Sequence, residues 1–223
     1  MSDSNGPEED TTGATPLDPN EADGLRPSHI QTQGELNAWE QLNIARAFAW
    51  AMSRRKRTAT SVLTVAFAEQ LHRRMFDQTW EWAGAYRRTE RNIGLPASQV
   101  RVALRERLAD ARAWLAAEVY DLDEIAARLH FQLVVVHPWP NGNGRWSRLM
   151  ADALLHASGH PAFTWGRGLS NAAGAARAKY LAAIRAADGG NFALLVKFVR
   201  SQRSQPFRNW RRLNAVPLPI AIR

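Results

Sequence analysis

The twelve residues HPWPNGNGRWSR, from His137 to Arg148, lie between two apolar runs. Proline, glycine and asparagine are residues of turns, so the stretch predicts a tight connection between two helices. Glycine at 142 and 144 lets the backbone approach a ligand without interference from a Cβ atom. The next helix should begin near Asn143–Gly144, where its first N–H groups lack helical partners and attract an anion.

Charged side chains flank this turn on both sides. Arg145 and Arg148 are three residues apart, so they share a helix face and can both reach a polyphosphate. His137 ends the preceding apolar run, and an imidazole can take a proton at neutral pH. The combination indicates a nucleotide-phosphate site with a base alongside. An ordinary turn between helices is the structural alternative.

Helical periodicity extends outward from the turn in both directions. The apolar run "FQLVVVH" has strand propensity, but its spacing continues a helical pattern that opens at Asp121 with a capping-box-like start. Only residues 82–100 resemble a short β-hairpin, with a turn near Gly94 and Pro96. The other helices are predicted at 34–53, from a cap at Ser61 through Met75, from Leu104 to Leu115, at 143–157, at 172–187 and at 191–202.

Composition separates two tails from this helical region. Seven of the 21 acids and none of the 29 basic residues lie in the first 24 positions, so the rest carries a formal excess of 15 positive charges. We predict a disordered acidic tail over 1–26, a helical domain over 27–202 and a basic tail over 203–223. The basic body would attract polyanions, including nucleic acid or nucleotide phosphates.

The chain contains no cysteine, which excludes disulfides, thiolate zinc sites and a cysteine nucleophile. No apolar run approaches a membrane span, and the first ten residues lack the order of a signal peptide. We therefore expect a cytoplasmic protein that does not enter a membrane.

The turn also carries a resemblance to a known family. It is similar to the Fic (Fido) signature His-Pro-Phe-x-(Asp/Glu)-Gly-Asn-Gly-Arg-x-x-Arg, with Trp139 in place of phenylalanine. The segment "WAGAYR…NIG" resembles the family's target-positioning flap, and residues 179–199 resemble its closing helices. More narrowly, the chain resembles the subgroup called mobile mystery protein B, whose members are encoded beside a helix-turn-helix partner. The signature matches at His137, Pro138, Gly142, Asn143, Gly144, Arg145 and Arg148.

The resemblance implies a fold and a mechanism. The fold would be mainly α, a Fic-type helical bundle with a short β-hairpin flap. Most members transfer AMP from ATP to a Ser, Thr or Tyr hydroxyl of a target protein. By that resemblance His137 would be the general base, the loop from Gly142 to Gly144 with Asn143 and Arg145 would hold the phosphates, and Arg148 would reach the γ-phosphate. Tyr180 is a candidate for the adenine pocket by its position in the matching helix.

One position departs from the family pattern. Asn141 occupies the place of the acidic residue that holds Mg²⁺ in active relatives, and an amide oxygen is a weaker ligand for this ion. Asn141 could therefore be a metal ligand of lower affinity, or it could mark a site that binds nucleotide without transfer. The inhibitory motif (Ser/Thr)-x-x-x-Glu-(Gly/Asn) is not found, since no glutamate follows Glu124 and neither Glu35 nor Glu40 fits it.

Three interpretations follow from these observations. The first is a Fic-type protein adenylyltransferase, and the second is a catalytically weak or inactive nucleotide-binding interaction module. The third, less favoured, is a nucleic-acid-associated protein, which the net charge and the basic tail suggest. His72 and His130 lie in helical patterns and are expected to have structural roles.

Overall fold

Eight helices make up most of the described part of the chain in the computed structural model. The structure describes residues 24–53, 57–91, 93–166 and 175–201, and only the backbone of 175 and 176. The predicted acidic tail up to residue 23 and the predicted basic tail lie outside these residues, so the division into tails and domain stays a prediction. The helices are α1 (Gln33–Ala51), α2 (Ala59–Val62), α3 (Val65–Phe76), α4 (Val100–Ala116), α5 (Leu122–Val136), α6 (Asn143–Ala157), α7 (Ala175–Asp188) and α8 (Ala193–Val199).

The chain divides into two compact units between Ala162 and Phe163. The first unit contains α1 to α6, and the second contains α7 and α8. In the second unit, the N–H and the hydroxyl of Thr164 both donate to the carbonyl oxygen of Val199, at 2.9 and 2.8 Å. These bonds fasten the segment that precedes α7 to the end of α8.

Helices α5 and α6 pack against each other in the core of the first unit. The buried side chains of α5 recur at helical spacing at Ile125, Leu129, Leu133 and Val136, as the sequence predicts. Trp146 on α6 is fully buried and donates from Nε1 to the carbonyl of Ala68, at 3.0 Å. The strand propensity of "FQLVVVH" is therefore overridden by burial on a helix face.

The mainly helical prediction is confirmed, but the predicted cap at Ser61 is wrong and the capping box expected at Asp121 is not formed. Ser61 lies inside the short helix α2, and α3 begins after Thr64, whose hydroxyl accepts the N–H of Phe67 at 3.2 Å. Asp121 precedes α5 without a side-chain bond to its first turn. Thr58 caps α2 and Thr64 caps α3. The apolar spacing predicted one helix here, because it did not indicate the short connection between the two.

The predicted β-hairpin is not formed among the described residues of 82–100. Two of its backbone carbonyls bond to a side chain instead of to a partner strand: the guanidinium of Arg87 donates to the carbonyl oxygens of Thr89 and Leu95. Proline at 96 has no N–H for a ladder, and Gly94 has φ +107°. We call residues 82–100 the flap segment.

Among the residues that the structure describes, no helix has both the length and the apolar character that a membrane span requires. The ordered chain includes Gly24, whose carbonyl accepts the N–H of Glu81 at 2.9 Å. Leu25 forms an isolated antiparallel bridge with Trp80. The residues before α1 are thus fastened to the segment that follows α3.

Candidate active site

His137 stands at the end of α5 in a conformation that few residues adopt. Its φ and ψ are 50° and 57°, the left-handed region, which costs about 1–2 kcal/mol for a residue with a Cβ atom. Its N–H still donates to the carbonyl of Leu133, at 3.1 Å. The left-handed residue turns the chain out of α5, so the half-buried imidazole lies at the start of the turn to α6.

The hydrogen bond at Nδ1 decides the chemistry of this imidazole. Nδ1 lies 3.4 Å from the carbonyl oxygen of Val134. A carbonyl oxygen can only accept, so Nδ1 carries the proton and Nε2 keeps its lone pair. Burial lowers the pKa of His137 from its ordinary value, the Val134 bond raises it, and the charges of Arg87 and Arg91 lower it. The net direction is downward, so the ring is neutral at pH 7 and can take a proton at Nε2.

Asn143 holds the turn between the two helices in one shape. Its Oδ1 accepts the N–H of Trp139 at 3.0 Å, and its Nδ2 donates to the carbonyl of Trp139 at 2.9 Å. Both polar atoms of this buried side chain are used within the turn. The amide group of Asn143 is therefore engaged in shaping the turn, while its backbone N–H stands at the start of α6.

Helix α6 begins without a side-chain cap. Gly142 precedes it in the left-handed region with φ +77°, and the first helical bond of the chain here runs from the N–H of Trp146 to the carbonyl of Gly142, at 2.9 Å. The N–H groups of Asn143, Gly144 and Arg145 precede that bond and point out of the helix start. Such a terminus carries a partial positive charge and suits a phosphate.

The two glycines of the turn differ in what surrounds them. A Cβ atom on Gly142 would overlap the ring of Phe76, which packs directly beneath the turn. A Cβ atom on Gly144 would meet only Nη1 of Arg148, at 3.7 Å. Gly142 is therefore required by packing and conformation, whereas the space at Gly144 is open beside the guanidinium of Arg148.

Arg145 forms an ion pair that the sequence did not predict. Its Nη1 lies 2.5 Å from Oε2 of Glu40 on α1, and Oε1 of Glu40 accepts Nε1 of Trp80 at 2.7 Å. The guanidinium also lies over the ring of Phe76, 5.0 Å from its centroid. Arg145 is thus oriented by a buried carboxylate that is 105 positions away in the sequence, a pairing that no local pattern could indicate.

His72 supports the turn from below. Its Nδ1 accepts the N–H of Gly84 at 3.0 Å, so the proton is on Nε2, which donates to the carbonyl of Asn141 at 3.1 Å. Burial lowers the pKa of His72 to about 3 despite the bond to Asn141. Burial, followed by the charge of Arg148, also lowers the pKa of His130 to about 3. Both residues lie fully inside the helical core.

Asn141 does not supply the ligand that Mg²⁺ prefers. Its Oδ1 accepts the N–H of the next residue, Gly142, at 2.6 Å, and no carboxylate lies between 137 and 144. Within the described ranges, no group of three or more His, Asp or Glu side chains could hold a metal ion. The donor set of this turn does not fit the metal site of the family, so no step is assigned to a metal here.

Comparison with known proteins finds a family match at the site. Residues 62–155, which include α3 to α5, the turn and most of α6, match the family described as Fic/DOC. We call residues 62–155 the Fic-matching region.

Curated proteins that are similar to this chain are protein adenylyltransferases by name. Protein adenylyltransferase fic-1 of Caenorhabditis briggsae is 32% identical over 120 residues, which are 52% of this chain and 22% of the relative. The probable protein adenylyltransferase aq_aa38 of Aquifex aeolicus is 32% identical over 91 residues, 40% of this chain and 26% of the relative. The matches thus cover about a quarter of the length of these relatives.

Solved structures share the fold of this chain. BepC of Bartonella tribocorum with bound AMPPNP superposes with a TM-score of 0.59 at 18% identity, over 81% of this chain and 95% of that chain. Fic-1 of Caenorhabditis elegans (residues 134–508, E274G) gives 0.58 at 23% identity, over 84% and 56%. At these identities the likeness establishes a common architecture.

The Fic-matching region brings together His137, Asn141 and the residues from Gly142 to Arg148 that the sequence singled out. Tyr180 belongs to the second unit, where its ring lies 5.8 Å from that of Phe198. Its part in an adenine pocket stays a prediction. Sequence reasoning missed Glu40, Phe76 and Arg87, and the only available signal was that Arg87 lies in the segment that resembles the flap.

Proposed function

We propose that this protein transfers AMP from ATP to a Ser, Thr or Tyr hydroxyl of a target protein. The observation that carries the proposal is the bond between Nδ1 of His137 and the carbonyl of Val134, which leaves Nε2 as a base. That base lies one tight turn before an uncapped helix start that suits phosphates. The names of the curated relatives support the same activity.

The proposed reaction consists of one proton transfer and one displacement at the α-phosphorus. Nε2 of His137 takes the proton of the target hydroxyl as its oxygen attacks the α-phosphorus. The bond between the α-phosphorus and the bridging oxygen to the β-phosphate breaks, and pyrophosphate leaves. The target keeps AMP as a phosphodiester. A base within reach of the hydroxyl and a fixed phosphate are what this displacement requires.

The phosphates would be held by the helix start and by two arginines. The N–H groups of Asn143, Gly144 and Arg145 can each donate to a phosphate oxygen, because they precede the first helical bond of α6 and Gly144 leaves open space. Arg148 lies beside that space and would orient the γ-phosphate. Arg145, paired with Glu40, would add positive charge near the β-phosphate.

A labelling experiment tests the proposal. The protein is incubated with α-³²P-ATP or γ-³²P-ATP and a host lysate, and proteins are separated for a labelled band. We expect a band with the α-label only, and a loss of at least about 100-fold for His137→Ala and His137→Asn, since each lacks the base. Asparagine tolerates the left-handed conformation, so His137→Asn controls for the backbone. Labelling by both variants at the wild-type rate would contradict the proposal.

Asn141 favours a second candidate function, a nucleotide-binding module that does not transfer. The turn would still hold a triphosphate, because its N–H donors and arginines do not depend on residue 141. Binding of ATP with no labelled product at any Mg²⁺ concentration would favour this candidate over transfer. A helix-turn-helix partner, a nucleic-acid role and a cytoplasmic location stay predictions from the sequence.

A further inference from the structure

Arg87 is a buried arginine whose guanidinium donates hydrogen bonds to backbone carbonyls instead of to a carboxylate. Its side chain is 1% exposed, and the nearest acid, Glu90, is 3.8 Å away and 71% exposed. Nε donates to the carbonyl of His137 at 2.6 Å, Nη1 to that of Thr89 at 3.0 Å, and Nη2 to that of Leu95. A buried charge is retained when such hydrogen bonds compensate its desolvation.

We propose that Arg87 is a positioning residue that joins the flap segment to His137. The inference rests on the proposed function, in which His137 is the base, and on the resemblance of the flap segment to a target-positioning flap. Thr89 and Leu95 are six residues apart, so the two Nη bonds close the intervening chain into a loop. The Nε bond fastens that loop to the carbonyl of the base.

The backbone of Arg87 makes the connection stronger. Its N–H donates to the carbonyl of Pro138 at 3.0 Å, so one residue holds the carbonyls of both His137 and Pro138. These two carbonyls flank the point where the left-handed His137 turns the chain out of α5. Releasing them would free the dihedral angles that aim the imidazole.

The loop also touches the base directly. A Cβ atom on Gly94 would lie 2.6 Å from Cβ of His137 and 3.1 Å from Nη2 of Arg87. The backbone at Gly94 therefore lies against the root of the His137 side chain. A change in the loop would be transmitted to His137 through this contact and through Arg87.

Electrostatics add a second effect of Arg87 on the base. Burial is the main cause that lowers the pKa of His137, and the charges of Arg87 and Arg91, both on the flap segment, lower it further. Removing the Arg87 charge should raise the pKa of His137. A residue that only supports the fold would leave this pKa and the ring tautomer unchanged.

The test compares two variants of Arg87. Arg87→Gln removes the charge and the three guanidinium hydrogen bonds, whereas Arg87→Lys keeps only the charge. The exposed Arg105→Gln on α4 is the control. Imidazole ¹⁵N resonances of His137 are titrated in the folded protein without nucleotide. We expect Arg87→Gln to raise the pKa of His137 and to mix its tautomers, Arg87→Lys to mix the tautomers with a smaller change in pKa, and Arg105→Gln to match wild type.

Transfer kinetics give the second readout. With α-labelled ATP, kcat should fall by about 10- to 100-fold in both Arg87 variants, while KM for ATP changes by less than about threefold, because the phosphate-binding turn is intact. Wild-type pKa and tautomer in Arg87→Gln would overturn the inference. Should that variant fail to fold, a wild-type tautomer in Arg87→Lys would overturn it instead. The titration uses no ATP, so it separates a failure of this inference from a failure of the proposed transfer.

Discussion

At the scale of single residues, the site depends on which nitrogen carries the proton in two imidazoles. His137 has its proton on Nδ1, toward Val134, and therefore offers Nε2 as a base. His72 has its proton on Nε2, toward the carbonyl of Asn141, because Nδ1 accepts from Gly84. One histidine is thus available for chemistry and the other is fixed in the support of the turn.

Asn141 is a neutral residue at a position where a charge should affect catalysis. Asn141→Asp would place a carboxylate where the turn has a neutral amide, and Mg²⁺ prefers charged oxygen ligands. We expect the Mg²⁺-dependent rate of labelling to rise about tenfold, corresponding to about 1.4 kcal/mol of transition-state stabilisation. Asn141→Ala should show no such gain. Equal rates of the aspartate variant with Mg²⁺ and with EDTA would contradict this expectation.

The site residues that could be predicted from the sequence are those within the turn, since spacing alone puts His137, Gly144 and Arg148 together. The residues that could not be predicted act across the fold. Glu40 reaches Arg145 from α1, and Arg87 reaches His137 from a position 50 residues earlier. Composition offers no signal for such pairings, because they depend on how the helices pack.

At the scale of elements, the start of α6 rests on the end of α3. Phe76 is the last residue of α3, and its ring fills the space beneath Gly142. The proposed phosphate-binding turn is therefore shaped by packing from one side and left open on the other, at Gly144. The boundaries of α6 were predicted well because Gly142 and Gly159 bracket an amphipathic run. The flap segment was predicted as a β-hairpin because Gly94 and Pro96 indicate a turn. In the structure the hydrogen bonds of a buried arginine replace those of a strand pair, and no sequence pattern indicates this.

This asymmetry predicts opposite effects for two glycine substitutions. Gly142→Ala should lower the free energy of unfolding by about 3 kcal/mol, because its φ is positive and the new methyl overlaps Phe76. Gly144→Ala should leave stability equal or raise it by up to about 1 kcal/mol, since alanine favours a helix. The same methyl should weaken ATP binding by about tenfold or more. Urea unfolding and calorimetric titration with ATP measure the two effects, and unchanged ATP affinity in Gly144→Ala would contradict the assignment of that space.

At the scale of the whole molecule, the described structure consists of two compact units, and the candidate base and phosphate-binding turn belong to the first. This unit buries two imidazoles, His72 and His130, whose pKa values lie at about 3 because of burial. An unfolded histidine has a pKa of about 6.5. Between these values the unfolded chain binds protons that the folded chain does not, so stability is lost as pH falls from about 6.5 toward 3.

Each of the two histidines should contribute about 1.4 kcal/mol per pH unit in that window. His72→Gln should reduce the pH dependence of the free energy of unfolding by about one proton, because its amide can still donate and accept without being protonated. The matched control is His156→Gln, a change of an exposed side chain on α6, which should leave the slope as in wild type. Urea unfolding at several pH values measures the slopes. An unchanged slope in His72→Gln would mean that burial of this imidazole does not oppose its protonation.

The central claim is that the turn before α6 holds a triphosphate beside the imidazole of His137. Amide and imidazole resonances followed during titration with ATP test it most directly. We predict that the largest shifts occur at the N–H groups of residues 142–145 and at the ring of His137, and that Arg148→Ala weakens them. Shifts confined to other parts of the chain, or none at millimolar ATP, would contradict the account.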